Sequence, residues 1–159
     1  MQIKVHMGIY GVCIEHNKLL CIKKTAGPYK NRYDLPGGSQ KSNEGLTETL
    51  KREILEETGY TLESYENPRV YDAFITEKDK EYTVHHIMII YDIHRDINIP
   101  KKEVPEFMNN ELNDSESEVW ISIDELTLEN SSPLVLKLKK EMLSNVSLDK
   151  DIYSNWKVI

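Results

Sequence analysis

The stretch GSQKSNEGLTETLKREILEETGY, residues 38–60, decides the fold of this chain. Its central part, Leu46 to Thr58, consists mainly of good helix formers, and Ser42 or Asn43 stands ahead of it as an N-cap. Gly59 follows as the terminating residue, because glycine readily adopts the left-handed conformation found at helix C-termini. The spacing therefore predicts a helix over 46–58 with a loop on each side.

Three carboxylates lie on one face of this predicted helix. Glu53, Glu56 and Glu57 have the spacing i, i+3 and i+4, which places them within roughly 100° of the helical wheel. A solvated acidic surface is the ordinary explanation. However, the macrodipole disfavours negative charge in the last turn, and like charges at this spacing repel. We therefore interpret the cluster as a functional site whose oxygen ligands suit Mg²⁺ or Mn²⁺.

The residues ahead of the helix favour close approach of the backbone to a ligand. Leu35-Pro36-Gly37-Gly38 ends in two glycines, which have no side chain and accept unusual backbone angles. A main-chain carbonyl in this loop could complete the coordination of a cation held by the helix.

These features together resemble the Nudix box of the Nudix hydrolases. The family pattern is Gly, five residues, Glu, seven residues, then Arg-Glu, a bulky aliphatic, any residue, Glu-Glu, any residue, Gly and a second aliphatic. The chain matches it in register at Gly38, Glu44, Arg52-Glu53-Ile54, Glu56-Glu57 and Gly59. Only Tyr60 departs, being aromatic where an aliphatic residue is usual. Leu35 to Gly38 and the later segment Trp120 to Leu126 also resemble their counterparts in the family.

The resemblance implies a fold and an activity. The fold would be the Nudix fold, an α/β/α sandwich around a mixed β-sheet, formed by one domain over residues 1–159. The activity would be divalent-metal-dependent hydrolysis of a phosphoanhydride in a nucleoside diphosphate linked to another moiety, with a nucleoside triphosphate as the default substrate. The cofactor would be Mg²⁺ or Mn²⁺.

The resemblance also implies roles for individual residues. Glu53, Glu56, Glu57 and the Gly38 carbonyl would bind the metal, and Arg52 would orient a catalytic carboxylate. Glu44 would support the loop and helix, as would Gly37. Glu53 would be a catalytic residue together with Arg52 and Glu57, although the general base could instead be a later residue.

Family members often recruit a further carboxylate from a loop well after the box. Candidates here are Asp114, Glu116 and Glu118, which precede Trp120, and exposed surface charge is the alternative for each. They lie in the polar segment 95–118, which contains two prolines and is predicted to form a long surface loop.

The rest of the chain predicts an α+β domain. Two hairpins are expected, one from Val5–Ile14 with Lys18–Ile22 and one from Arg69–Thr76 with Tyr82–Ile93. A last strand is expected over Val119–Ile123 and a helix over Ser132–Leu143. His85 and His86 are adjacent on a predicted strand and so point to opposite faces of its sheet.

Charge and cysteine content restrict the partners. Lys and Arg number 20 against 27 Asp and Glu, a formal net charge of −7, which argues against nonspecific nucleic-acid binding. A small nucleotide-type substrate remains compatible, since a divalent cation can bridge carboxylates and phosphates. Cys13 and Cys21 are expected to be reduced thiols of a cytoplasmic protein, and the apolar stretch Met7–Ile14 is too short to span a membrane. Whether the chain forms a homodimer is left open.

One alternative function belongs to a different class. A nucleotide-binding or RNA-end-binding module could retain the fold without turnover. Such modules usually lose glutamates of the box, whereas Glu53, Glu56 and Glu57 are all present here. Hydrolysis is therefore the favoured interpretation.

Overall fold

A computed structural model of the chain describes residues 1–103, 107–108, 111–112 and 118–159. Its helices are α1 (Leu46–Thr58) and α2 (Pro133–Met142), with a short 3₁₀ turn at Ile123–Glu125. Its strands are β1 (Gln2–Val12), β2 (Ile14–Glu15), β3 (Lys18–Lys23), β4 (Tyr33–Asp34), β5 (Gly37–Gly38), β6 (Leu62–Glu77), β7 (Tyr82–Arg95), β8 (Phe107–Met108), β9 (Glu111–Leu112), β10 (Val119–Ser122) and β11 (Asp151–Trp156).

The strands form mixed sheets. The larger sheet has the order β11-β6-β7-β1-β5, in which β1 runs parallel to β7 and β11 parallel to β6, while the other pairs are antiparallel. A second sheet has the order β10-β3-β2, and β4 also pairs with β3. The predicted α+β class is confirmed.

The two helices pack against opposite faces of the larger sheet. Leu50 and Ile54 of α1 share a core with Ile9 and Ile93, which occupy odd positions on β1 and β7. The core beside α2 takes the other face, and its members include Leu134, Leu138, Tyr10, Met88 and Ile90. Because side chains alternate along a strand, these two cores lie on either side of the sheet, as the α/β/α arrangement requires.

The second predicted hairpin is confirmed, since β6 and β7 pair antiparallel. The first is confirmed only next to its turn, where His16 and Asn17 have φ values of 52° and 62° and β2 pairs with β3. The rest of the predicted first strand is β1, which pairs with β7 and β5 in the larger sheet instead. β6 starts at Leu62, seven residues before the predicted start at Arg69. The longer strand arises because β7 also extends to Arg95, so that Leu62 finds a partner there.

Helix α1 has the predicted bounds, but the predicted N-cap was wrong. The cap is Gly45, not Ser42 or Asn43. The amide of Gly45 donates to Glu48 Oε1 at 3.0 Å, while its carbonyl accepts from Thr49 N at 3.0 Å. Gly59 ends the helix as predicted, with φ 79° and its amide bonded to the Leu55 carbonyl.

Three short features were not predicted. Gly37 and Gly38 form β5 against β1, and β11 joins the outer edge of the larger sheet beside β6. Within the segment predicted to be a loop, β8 pairs with β9. All three depend on partners distant in sequence or on very short segments, for which local pattern is weak.

Cys13 and Cys21 are buried free thiols. In the part of the chain that the structure describes, neither helix has the length and apolar character needed to cross a bilayer.

Candidate active site

A cleft of about 700 Å³ lies where α1 meets the edge formed by β5. Its acidic end contains Glu53, Glu56 and Glu57 with Gly37 and Gly38. The predicted helix cluster and the predicted glycine loop therefore share one cavity. The cleft is also lined by Lys4, His6, Tyr10, Lys24, Tyr29 and His86, of which the sequence analysis noted only His86.

The two glycines are required by contacts on both sides of β5. Gly37 has φ 149°, and a Cβ there would lie 2.2 Å from the Ile9 carbonyl oxygen. A Cβ on Gly38 would lie 2.6 Å from Glu53 Cδ. The backbone of β5 can therefore touch β1 on one side and a helix carboxylate on the other only because both residues lack side chains.

Arg52 connects the loop ahead of the helix to the helix carboxylates. Its Nε and Nη2 donate to the two oxygens of Glu44 at 2.6 and 2.8 Å. Its Nη1 donates to Glu53 Oε1 at 2.9 Å and to Glu56 Oε2 at 3.2 Å. The Arg52 guanidinium therefore holds Glu53 and Glu56 side by side, and Glu44 anchors the guanidinium to the loop.

Glu44 is fixed by several donors. Besides Arg52, it accepts from the Lys41 amide at 3.0 Å and from Thr49 Oγ1 at 3.1 Å. Hydrogen bonds from Arg52 above all lower the pKa of Glu44 to about 2. The carboxylate therefore stays ionised well below neutral pH, which keeps its charged contact with Arg52.

Glu57 is the most deeply buried carboxylate of the cluster, with 5% of its surface exposed. Its Oε1 accepts a hydrogen bond from the Gly37 amide at 2.8 Å. Glu56, one residue earlier, has the Arg52 contact described above. The unfavourable position of both charges at the helix C-terminus is thus offset by partners outside the last turn, which the sequence pattern did not reveal.

The oxygen atoms of Glu53, Glu56, Glu57 and Gly38 are chemically suited to bind a divalent cation. Carboxylate and carbonyl oxygens are the ligands that Mg²⁺ and Mn²⁺ prefer, and the contact between Gly38 and Glu53 brings backbone and carboxylate together. Within the described residues, no three His, Cys, Asp or Glu side chains are already arranged to hold a metal ion. Arg52 and the Gly37 amide bind the three carboxylates separately.

The predicted loop carboxylates are not brought to the cleft by any described contact. Glu118 is not among the lining residues, and it forms an ion pair with Lys101. Asp114 and Glu116 lie outside the described residues. Their predicted role stays a prediction.

His86 lines the same cleft and lies between two tyrosines. Its Nε2 lies 2.8 Å from the Tyr10 hydroxyl and its Nδ1 lies 2.8 Å from the Tyr29 hydroxyl. The ring of His6 lies beside it at 4.8 Å between centroids. His85 points to the other face, as predicted, where its Nε2 lies 2.6 Å from Asp72 Oδ2. The sequence analysis missed the role of His86 because Tyr10 and Tyr29 are far from it along the chain.

The environment of His86 predicts acid sensitivity. Burial above all lowers its pKa to about 3, and the charges of His6 and Lys24 add to the shift. In the unfolded chain, His86 would bind a proton below about pH 6.5, whereas in the folded protein it stays neutral there. The free energy of unfolding therefore decreases as the pH falls below about 6.5. The expected loss is on the order of 2 kcal/mol between pH 6.5 and 5.

This expectation can be measured by chemical unfolding of the wild type and His86→Gln between pH 7 and 5. The variant should show a clearly smaller loss, because glutamine does not titrate. Glu44 contributes nothing in this range because it titrates at lower pH. Equal losses in both proteins would contradict the assignment.

Comparison with known proteins gives the family. The family model of the NUDIX domain matches residues 3–142, which include the cleft and both helices. The chain belongs to the NUDIX family. The fold expected from the resemblance to the Nudix box is thereby confirmed.

Two curated relatives resemble this Nudix protein over part of its length. An ADP-ribose pyrophosphatase of Methanocaldococcus jannaschii is 40% identical over 53 residues, which is 33% of this chain and 31% of that protein. An 8-oxo-dGTP diphosphatase of Buchnera aphidicola is 40% identical over 55 residues, 34% of this chain and 42% of that protein. The matches thus span less than half of either relative.

Solved structures share the fold. A NUDIX hydrolase from Nitrosomonas europaea superposes with a TM-score of 0.62 at 17% identity, covering 91% of this chain and 93% of that one. A bifunctional NMN adenylyltransferase/ADP ribose pyrophosphatase from Francisella tularensis, solved with AMP and a Mn ion, has a TM-score of 0.55 at 16% identity. It covers 87% of this chain and 41% of that one.

Proposed function

We propose that this Nudix protein hydrolyses a phosphoanhydride bond in a nucleoside diphosphate linked to another moiety, with Mg²⁺ or Mn²⁺ as cofactor. The observation that carries the proposal is the shared cleft of Glu53, Glu56 and Glu57 with Gly38 at its edge. An acidic surface without function would not need a glycine pressed against the Glu53 carboxylate. The manganese in the Francisella structure and the phosphoanhydride substrates named for the two relatives support the same chemistry.

The residues of the chain have separate tasks in this proposal. Glu53, Glu56, Glu57 and the Gly38 carbonyl would hold the cation. When bound, a divalent cation neutralises phosphate oxygens and makes the attacking water more acidic. Arg52 contacts Glu53 and Glu56 and would orient them, and Glu44 holds Arg52 in place. Glu53 or a loop carboxylate would accept the proton of the attacking water.

The names of the two relatives guide the choice of substrate class. One relative is named for ADP-ribose and the other for an oxidised deoxynucleoside triphosphate. Both contain a nucleoside joined to at least two phosphates. We propose a nucleoside triphosphate as the substrate to test first, with a nucleoside diphosphate sugar as the second.

A substrate panel tests the proposal. Nucleoside triphosphates, an oxidised deoxynucleoside triphosphate and ADP-ribose are incubated with Mg²⁺, and the released products are identified by chromatography. Cleavage between phosphates is expected for at least one compound. Binding of a nucleotide with no cleavage of any compound would instead favour the non-catalytic module.

Metal removal should abolish the activity. Excess EDTA is expected to lower turnover at least a hundredfold. Without the cation, nothing at this site neutralises the phosphate charge, because the carboxylates are themselves negative. Added Mg²⁺ or Mn²⁺ should restore it. The measurement is initial rate against free metal concentration, and unchanged turnover in EDTA would contradict the metal assignment.

A further inference from the structure

The N-terminal half of β1 forms an open edge of the larger sheet. β1 pairs with β7 from Gln2 to Val12, whereas on its other side β5 pairs with it only at Ile9 and Tyr10. Among the residues that the structure describes, no strand lies beside residues 2–8 on that other side. Residues 2–7 are all exposed to solvent.

The backbone of this half directs hydrogen-bonding groups toward the open side at every second residue. The Gly11 amide donates to the Pro36 carbonyl at 3.0 Å, on the side of β5, and the Ile9 carbonyl oxygen faces the same side. Successive residues of a strand direct their N–H and C=O groups to alternate sides, and β1 pairs with β7 without a register shift. The residues whose N–H and C=O groups face the open side are therefore Ile3, Val5 and Met7.

The same three residues carry exposed apolar side chains. Ile3, Val5 and Met7 are 56%, 67% and 38% exposed. They lie at alternate positions before Ile9, which belongs to the core beside α1, so they continue the apolar face of the sheet beyond that core. A long, apolar strand with free backbone groups is a template for pairing with another strand.

The opposite edge of the same sheet is protected, whereas this one is not. The edge strand β11 carries charged Asp151 and has a register irregularity between Tyr153 and Trp156. Charges and irregular pairing are the features that usually protect a sheet edge. On the open edge of β1, Lys4 is the one Lys, Arg, Asp or Glu among residues 2–8. Its Nζ lies 4.0 Å from the centre of the Tyr82 ring, which belongs to the neighbouring strand β7.

A two-fold axis at Val5 makes this edge complementary to a second copy of itself. Antiparallel pairing about that axis places Val5 opposite the partner's Val5 and Ile3 opposite the partner's Met7. Each of these pairs can exchange two backbone hydrogen bonds, because all of these residues direct N–H and C=O outward. Lys4 then lies opposite the partner's His6. An axis at Lys4 would instead place two ammonium groups directly opposite each other, which is unfavourable.

We infer that this protein forms a homodimer in which two copies of β1 pair antiparallel about Val5 and join the two larger sheets. A closed two-fold dimer uses the same surface on both subunits, as this edge allows. The apolar side chains of both strands then form one stripe on the face that α1 covers further along, which removes apolar surface from water. Addition of an extended peptide to the same edge is the competing outcome that the test separates.

Sedimentation velocity from about 1 to about 100 µM protein measures the association, which depends on concentration by mass action. The samples are wild type, Val5→Lys, Val5→Glu and an equimolar mixture of the two variants. Val70→Lys and Val70→Glu are the matched controls, since Val70 is 58% exposed but lies on β6, away from the open edge. Circular dichroism shows whether each variant is folded. Neither substrate nor metal is present, so the result is independent of the proposed hydrolysis.

We expect the wild type and both Val70 variants to dimerise equally. Val5→Lys and Val5→Glu should each associate at least tenfold more weakly, because the axis places two like charges opposite each other. Their mixture should recover the dimer, since lysine then lies opposite glutamate. A monomeric wild type, unchanged association of the Val5 variants, or a mixture without recovery would overturn the inference.

The peptide alternative has its own measurement. A peptide of alternating valine and threonine is titrated into the wild type, and the amide signals of Ile3, Val5 and Met7 are followed by NMR. We expect the dimer to protect these amides and the peptide to leave them unchanged. A monomer whose β1 amides shift on addition of the peptide would assign the edge to a peptide partner and overturn the dimer.

Discussion

Glu57→Gln is expected to lower kcat at least a thousandfold while leaving the protein folded. The amide oxygen of glutamine can still accept from the Gly37 amide, which bonds to Glu57 Oε1 at 2.8 Å, so the junction between α1 and β5 persists. The variant removes one negative charge from the acidic end of the cleft. A loss of this size corresponds to about 4 kcal/mol of transition-state stabilisation.

Steady-state kinetics over a range of Mg²⁺ concentrations measure this effect. Glu56→Gln should behave similarly, and Glu63→Gln is the control because Glu63 is an exposed residue of β6. Thermal unfolding without metal shows whether the fold is retained. Near wild-type kcat in both Glu56→Gln and Glu57→Gln would refute the assignment of these residues as metal ligands.

Arg52→Lys is expected to lower kcat/KM about a hundredfold and the free energy of unfolding by about 1–2 kcal/mol. Lysine keeps the charge but not the planar fork that donates to both oxygens of Glu44. It also cannot hold Glu53 and Glu56 while bound to Glu44. The catalytic loss should therefore exceed what the loss of stability explains.

Arg95→Lys is the matched control for this variant. Arg95 donates from Nε and Nη2 to both oxygens of Glu15, at 2.8 and 2.9 Å, and neither residue lines the cleft. Urea unfolding should therefore show a comparable decrease in stability for both variants, whereas only Arg52→Lys should lose activity. Equal losses of activity would show that Arg52 acts through stability alone.

Helix α1 illustrates what local sequence can predict. Its bounds follow from good helix formers between a loop and Gly59, and its acidic face follows from 3.6 residues per turn. The N-cap was mispredicted because the side chain of Glu48, inside the helix, bonds to the Gly45 amide. The residue preferences for helix caps favoured Ser42 or Asn43, but the hydrogen bond between Glu48 and Gly45 makes Gly45 the cap.

The sequence by itself determined the family, the acidic helix and the glycine loop, because each depends on spacing within one short segment. Only the tertiary structure decided that Arg52 holds Glu53 and Glu56, and that Tyr10, Tyr29 and His86 meet in the same cleft. That meeting depends on the parallel register of β1 with β7, which pairs His6 with His86. Register is set by burying one face of a sheet across many residues, so no local pattern contains it.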